Sequence, residues 1–243
     1  MQNHKLAHVR ITGGRKQDLL DDIAEGIQDG RKQYCMPLNL TKYVMSQTDQ
    51  KLRDTVAAAD YVIADGVPIV WLSRRAKLKD VCRITGVDLA ESILCDAAKK
   101  QWKLFFLGAS PDNLRAATQR LAERFSGLNI VGAQDGYFQP SDVPTILDRI
   151  NSCRPDVLLL GLGLPQKEYF VHDHLARLDV RLCLPVGGAF DIWAGAKQRT
   201  PALLQTMGFE WLYRSLYDLS RAKLILKYGA RFAKDFVLYP RKG

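Results

Sequence analysis

Apolar positions recur along this chain at two spacings, and the order in which those spacings alternate predicts its architecture. Residues 6–11 read as a strand, followed by Gly13-Gly14 and by a helix over 16–27 whose Leu19, Leu20, Ile23 and Ile27 share one face. A second short apolar run, 35–40, ends in a polar turn and leaves Asn39 at a strand end. Residues 49–59 are predicted as a helix leading into the strand Tyr61-Val62-Ile63-Ala64, which stops at Asp65-Gly66 with Pro68 just beyond. A helix over 88–101 follows, with Leu89, Ile93, Leu94 and Ala97 at helical spacing and Thr85 or Asp88 as its cap. From Lys103 the alternation becomes regular: strands at 104–107, 130–132, 157–160 and 181–186, separated by helices at 113–125, 142–151 and 166–178. Short apolar strands alternating with amphipathic helices predict an α/β fold, a Rossmann-like core in which helices flank both faces of a parallel sheet. Ligands of such sheets bind at the carboxyl ends of the strands.

Those strand ends carry the candidate chemistry. Asp65 is a carboxylate where a strand gives way to a turn, and Arg83 precedes the next helix, a cation suited to face an anion. Taken alone, an acid before glycine is more often a turn residue, and a lone arginine more often a surface ion pair. Gly108 opens a strand–turn–helix that points N–H groups at any phosphate placed there. Gly161-Leu162-Gly163-Leu164-Pro165-Gln166-Lys167-Glu168 is a stronger signal, because two glycines, a proline and then an amide and an amine exceed what a turn requires. Gly187-Gly188-Ala189-Phe190-Asp191 ends the last strand in the same way. No GxGxxG occurs, which argues against a dinucleotide, and no cofactor is expected.

Composition narrows the setting. With 243 residues, 47% hydrophobic and 25% charged, the chain has the makeup of an ordinary globular protein. It has no apolar run of spanning length, and Met1-Gln2-Asn3-His4-Lys5 lacks the apolar core of a secretory signal, so a cytoplasmic location is expected. The five cysteines, Cys35, Cys82, Cys95, Cys153 and Cys183, are scattered without a CxxC pair or a histidine at ligand spacing, and read as reduced, mostly buried small hydrophobes. Charge is uneven: from Lys197 onward ten basic residues stand against three acidic ones, a net of +7 in a chain whose total is +9. Such a tail suits phosphates, nucleic acid or an anionic membrane.

Six motifs in order, spanning nearly the whole chain, carry a resemblance. They are Ala64-Asp65-Gly66; Arg83-Ile84-Thr85-Gly86-Val87-Asp88-Leu89; Asp135-Gly136-Tyr137-Phe138; Pro165-Gln166-Lys167-Glu168; Gly187-Gly188-Ala189-Phe190-Asp191; and Gly208-Phe209-Glu210-Trp211-Leu212-Tyr213-Arg214. Together they resemble the WecG/TagA/CpsF group of glycosyltransferases, family 26. The resemblance implies an inverting enzyme that moves a sugar from a UDP-sugar to an undecaprenyl-diphosphate-linked saccharide at the inner face of the bacterial membrane. It implies Asp65 as the base, Arg83 near the diphosphate and Asn39 near the sugar. Gly108, Tyr137, Gln166, Lys167, Gly187 and Asp191 are the expected substrate-binding set, joined by Arg214 and Arg221 from the tail. The chain has no DxD motif, so no metal is expected in the site.

Three departures from the family pattern stand out. Pro37 occupies a position where many relatives carry threonine, and the order Gln166-Lys167 exchanges amide and amine, so Lys167 takes the usual glutamine place. The relatives' proline after the tail helix is also missing, with Leu219-Ser220 there instead. The expected organisation is a core over 1–195 and a membrane-docking appendage over 196–243, whose stretch 209–228 interleaves bulky apolar groups with Arg214, Arg221, Lys223 and Lys227. An ordinary helix covering the core is the plainer reading of that stretch. Relatives imply a homo-oligomer. Rival functions are a non-catalytic nucleotide-sugar sensor or membrane scaffold, and an RNA-binding protein; the tail's bulky apolar content favours lipid over nucleic acid.

Overall fold

A computed structural model describes residues 1–198, 200 and 219–238. The chain begins with an antiparallel hairpin, β1 (Gln2–Leu6) and β2 (Val9–Gly13). It continues through α1 (Lys16–Gln28), β3 (Gln33–Leu38), α2 (Leu40–Met45), α3 (Gln50–Ala57), β4 (Tyr61–Ala64), α4 (Val67–Arg75) and α5 (Gly86–Lys100). Then come β5 (Lys103–Gly108), α6 (Pro111–Arg124), β6 (Asn129–Gln134), α7 (Val143–Cys153), β7 (Val157–Gly161), α8 (Gln166–His174), β8 (Leu182–Pro185) and α9 (Ala189–Trp193). The last described element is α10 (Leu219–Leu238).

β3 to β8 form one six-stranded sheet in the order β4-β3-β8-β7-β5-β6, every neighbouring pair parallel. The fold is therefore the α/β arrangement expected, with the hairpin added. Parallel strands covered on both faces have no side left for water, which is why they are written as unbroken apolar runs. Successive residues of β5 and β7 feed opposite cores. Leu104, Phe106, Val157 and Leu159 pack with α1, α5, α6 and α9, while Phe105, Leu107, Leu158 and Leu160 pack with α2, α4, α7, α8 and the hairpin.

Several local expectations need correction. The strand expected over 6–11 is the middle of the hairpin: Leu6 ends β1, Ala7 turns with a φ of 53°, and Val9 begins β2. Its apolar alternation survives because Leu6, Val9 and Ile11 all face the core. Three helices were not legible, among them the five-residue α9. α2 has six residues, too few to show a period, and α4 places Pro68 in its first turn, where proline costs no hydrogen bond but reads in sequence as a break. Thr85 is the cap of α5, accepting from Asp88 N at 3.1 Å. α8 stops at His174 and passes into a 3-10 turn at Leu175–Arg177, short of the helix expected to 178. Of the cysteines only Cys35 and Cys183 are buried, and Cys82 is exposed.

α10 lies against α2. Tyr228, Phe232 and Phe236, spaced four apart on one face, meet the core: Phe232 is 7% exposed and stands edge-on to Tyr43 at 5.8 Å. Arg75 of α4 covers the Phe236 ring at 5.2 Å, and Gln47 donates to Asp235. From Tyr228 onward the apolar stripe of this helix is thus occupied by protein. The stretch 209–218, the first half of the expected membrane helix, lies outside the described residues.

The chain's direction changes between β5 and β7: β5 leads through α6 to β6 on one side, and β7 leads through α8 to β8 on the other. Their carboxyl ends meet backbone to backbone. Gly108 has a φ of +133° and faces Gly161, where an added Cβ would lie 2.4 Å from the Gly161 carbonyl carbon. Gly187, at the end of β8, has a φ of +56° but opens onto space with nothing within 4 Å of a Cβ position. Gly108→Ala should therefore cost about 3 kcal/mol from backbone overlap and strain, whereas Gly187→Ala should cost about 1 kcal/mol from its φ alone. Urea unfolding of the two variants beside the parent measures the difference.

Candidate functional site

The register of β3 against β4 pairs Leu38 with Ala64, so the residues that follow each strand, Asn39 and Asp65, emerge side by side. Asp65 N donates to Leu38 O at 2.9 Å, carrying the ladder one residue past the strand. On the other flank of β4, Ala64 bridges Arg83, and Ile84 N donates to Ala64 O at 3.1 Å. Asn39, Asp65 and Arg83 thus stand at three neighbouring chain ends on the carboxyl edge of the sheet. Asn39 also caps α2 by accepting from Lys42 N at 3.0 Å, which holds its side chain at the edge.

Beneath this edge is a buried ion cluster that the sequence does not announce. Glu168 is 0% exposed, and its Oε1 lies 2.8 Å from Lys42 Nζ and 3.2 Å from Lys167 Nζ. Lys42 also donates to Pro37 O at 2.7 Å. Burial pushes the Glu168 carboxyl up, but the two ammonium groups together outweigh it and hold the pKa below the ordinary range. For Lys167, burial and the Lys42 charge pull the amine down to about 8, against the opposing pull of Glu168 and of Asp65. Its coupling to Asp65 links the cluster to the edge. Gln166, the residue before it, is exposed. Within Pro165-Gln166-Lys167-Glu168, then, one side chain faces outward and two face the interior. Lys42 was missed because a lysine one helical turn after a cap normally reads as a solvated position; only the glutamate in the motif hinted at a buried partner.

The rest of the edge gathers the other expected residues. Gly108 and Gly187 lie at the ends of β5 and β8. Tyr137 follows β6 and is 79% exposed, its N–H donating to Asp135 Oδ1 at 2.9 Å, while Phe138 beside it packs onto Phe170. Asp191 lies in the first turn of α9 with both oxygens engaged, Oδ1 accepting from Asn113 at 2.9 Å and Oδ2 from Lys197 at 2.6 Å, so it ties α9 to α6. α5 and α6 both begin at this edge: Gly86 abuts Pro37, and Ser110 caps α6. The positive dipole end of α5 therefore lies close to Arg83, while that of α6 stands over β5 further along the edge. A groove of about 350 Å³ starts at Arg83 and follows α5 past Asp88 and Glu91 to Arg124. It shares only Arg83 with the trio. Arg214 lies outside the described residues, and Arg221 falls in the first turn of α10.

A family model for the glycosyl transferase WecG/TagA/CpsF family matches residues 4–242. The chain belongs to this family. It is therefore a glycosyltransferase of lipid-linked polysaccharide or teichoic acid synthesis, acting on a sugar donor and a lipid-linked acceptor. Among the described residues, no helix of this WecG/TagA/CpsF protein is long and apolar enough to cross a membrane.

The buried cluster generates a signed prediction. An amine whose folded pKa lies below its unfolded value destabilises the fold at low pH, and stability is regained as pH rises from about 8 towards the ordinary 10.5. Lys167→Gln should be more stable than the parent at neutral pH, on the order of 1 to 3 kcal/mol, with the gap closing across that window. Lys42→Met should instead cost about 3 kcal/mol, because it leaves the Glu168 carboxylate with one counter-charge fewer. Urea denaturation at pH 7 and at alkaline pH reads both.

Proposed function

We propose that the chain is an inverting, UDP-sugar-dependent hexosyltransferase whose acceptor is an undecaprenyl-diphosphate-linked saccharide and whose site is the Asn39–Asp65–Arg83 edge. The observation that carries this reading is the placement of an acid, an amide and a cation on three adjacent chain ends, with the N-terminus of α5 beside them. In a single displacement the acceptor hydroxyl oxygen attacks the anomeric carbon as the bond to the UDP β-phosphate oxygen breaks. Asp65 takes the hydroxyl proton, and the departing diphosphate is met by Arg83 and the N-terminal N–H groups of α5. Asn39 orients the donor sugar, and the exposed Tyr137 ring offers a stacking surface for the base. Gly108, Gln166, Lys167, Gly187 and Asp191 line or brace the donor pocket, and Gly187 leaves room for close approach.

Cationic side chains and helix termini hold the diphosphate in this reading, so no metal is required. The segment from residue 196 onward completes the site with Arg214 and Arg221 and attaches the protein reversibly to the inner face of the plasma membrane. The core associates with further copies of itself.

Asp65→Asn should lower acceptor-dependent UDP release by roughly 10²- to 10⁴-fold while leaving UDP binding intact. The assay is UDP release from a panel of UDP-sugars with a short-chain polyprenyl-diphosphate sugar, in EDTA. Release that fails in EDTA overturns the metal-independent site. Silence with every donor while UDP still binds favours a nucleotide-sugar sensor.

A further inference from the structure

We infer that α4, the loop after it and the end of α10 together form a contact surface for an anionic lipid bilayer, so that membrane contact extends from the appendage onto α4 of the core. Large apolar side chains that are exposed are few among the described residues, and three of them gather here: Trp71 at 46%, Val237 at 68% and Leu238 at 66%. Trp71 and Arg75 lie one turn apart on α4, and Arg75 reaches α10, donating to Val237 O at 2.8 Å and covering Phe236. The three apolar groups therefore belong to one patch.

The charge around them has one sign. Arg74, Lys77 and Lys79 are exposed, Arg75 is half-buried, and the segment from Val67 to Lys79 contains no acid. Asp80, the next residue, bonds to His4 at 2.7 Å. On α10, the outward positions Lys227, Arg231 and Lys234 extend the patch, while the one acid between 227 and 238, Asp235, accepts from Gln47. A tryptophan ring among lysines and arginines is the composition of a protein surface lying at the headgroup level of an anionic membrane. A second copy of the chain fits poorly, because a two-fold contact here would press like charges together.

The position has a use. α4 starts two residues after Asp65, and Trp71 is about one helical turn further on, roughly 6 Å of rise. A bilayer touching Trp71 would bring a lipid-diphosphate headgroup to the edge that carries Asp65. The inference builds on the transferase reading for that use, but partition onto vesicles is read without donor or acceptor, so the two fail separately.

The test compares the full chain with Arg74→Glu/Lys77→Glu and with Trp71→Ser, in sedimentation with phosphatidylglycerol-containing vesicles and with phosphatidylcholine vesicles. The charge reversal should weaken partition onto the anionic vesicles roughly tenfold or more, and Trp71→Ser should weaken it by a smaller factor. Melting temperature, self-association and UDP release with a soluble short-chain acceptor should be unchanged. Parent-like partition of both variants, or no vesicle binding by the parent, overturns the inference. So does a loss confined to self-association or to binding of a structured RNA, which would assign the patch to a second copy or to nucleic acid.

Discussion

The parallel pairing of β3 with β4, prolonged by the hydrogen bond from Asp65 N to Leu38 O and by the bridge from Ala64 to Arg83, is the constraint on which the site depends. Side chains alternate strictly along a strand, so a slip of one residue would turn Asp65 and Asn39 to opposite faces. The apolar alternation beneath them forbids that slip. Tyr34, Met36 and Leu38 face one core with Val62 and Ala64, while Cys35, Tyr61 and Ile63 face the other, and all are buried. The geometry of three polar groups at an edge is thereby inherited from hydrophobic packing below it.

The Lys42–Glu168–Lys167 cluster links two halves of that edge. Lys42 belongs to the helix capped by Asn39, and Glu168 to the helix that follows β7, so the ion pair joins α2 to α8 across the ends of the central strands. Such a cluster is not a source of large stability, since desolvating three charges costs about as much as their attraction returns. Its consequence is positional. Lys42 is the partner Glu168 cannot lose cheaply, and Lys167 adds a titrating cation that interacts with Asp65.

α10 shows how one amphipathic helix can serve two environments. Its Tyr228–Phe232–Phe236 stripe is covered by α2 and α4, while Lys227, Arg231 and Lys234 face outward. Docking of its second half on the core places Phe236 and Val237 against Arg75 of α4, the helix that starts beside Asp65.

The sequence by itself determined the fold class, the order of the parallel strands and helices after Lys103, and the strand-end addresses of Asp65, Asn39, Gly108 and Gly187. Apolar runs and turn residues are local signals, and a buried parallel strand can hardly be written otherwise. It also carried the family, because six motifs in order outweigh any one of them. Hidden from it were α2 and α9, too short to show a period, α4, masked by Pro68, and the hairpin that replaced a single strand. Only the tertiary structure could decide that Asn39, Asp65 and Arg83 become neighbours, that Lys42 and Lys167 share a buried glutamate, and that Asp191 is occupied in holding α6 to α9. Those are contacts between residues tens of positions or more apart, and they exist only once sheet register and helix packing bring the chain ends together; no local pattern encodes them.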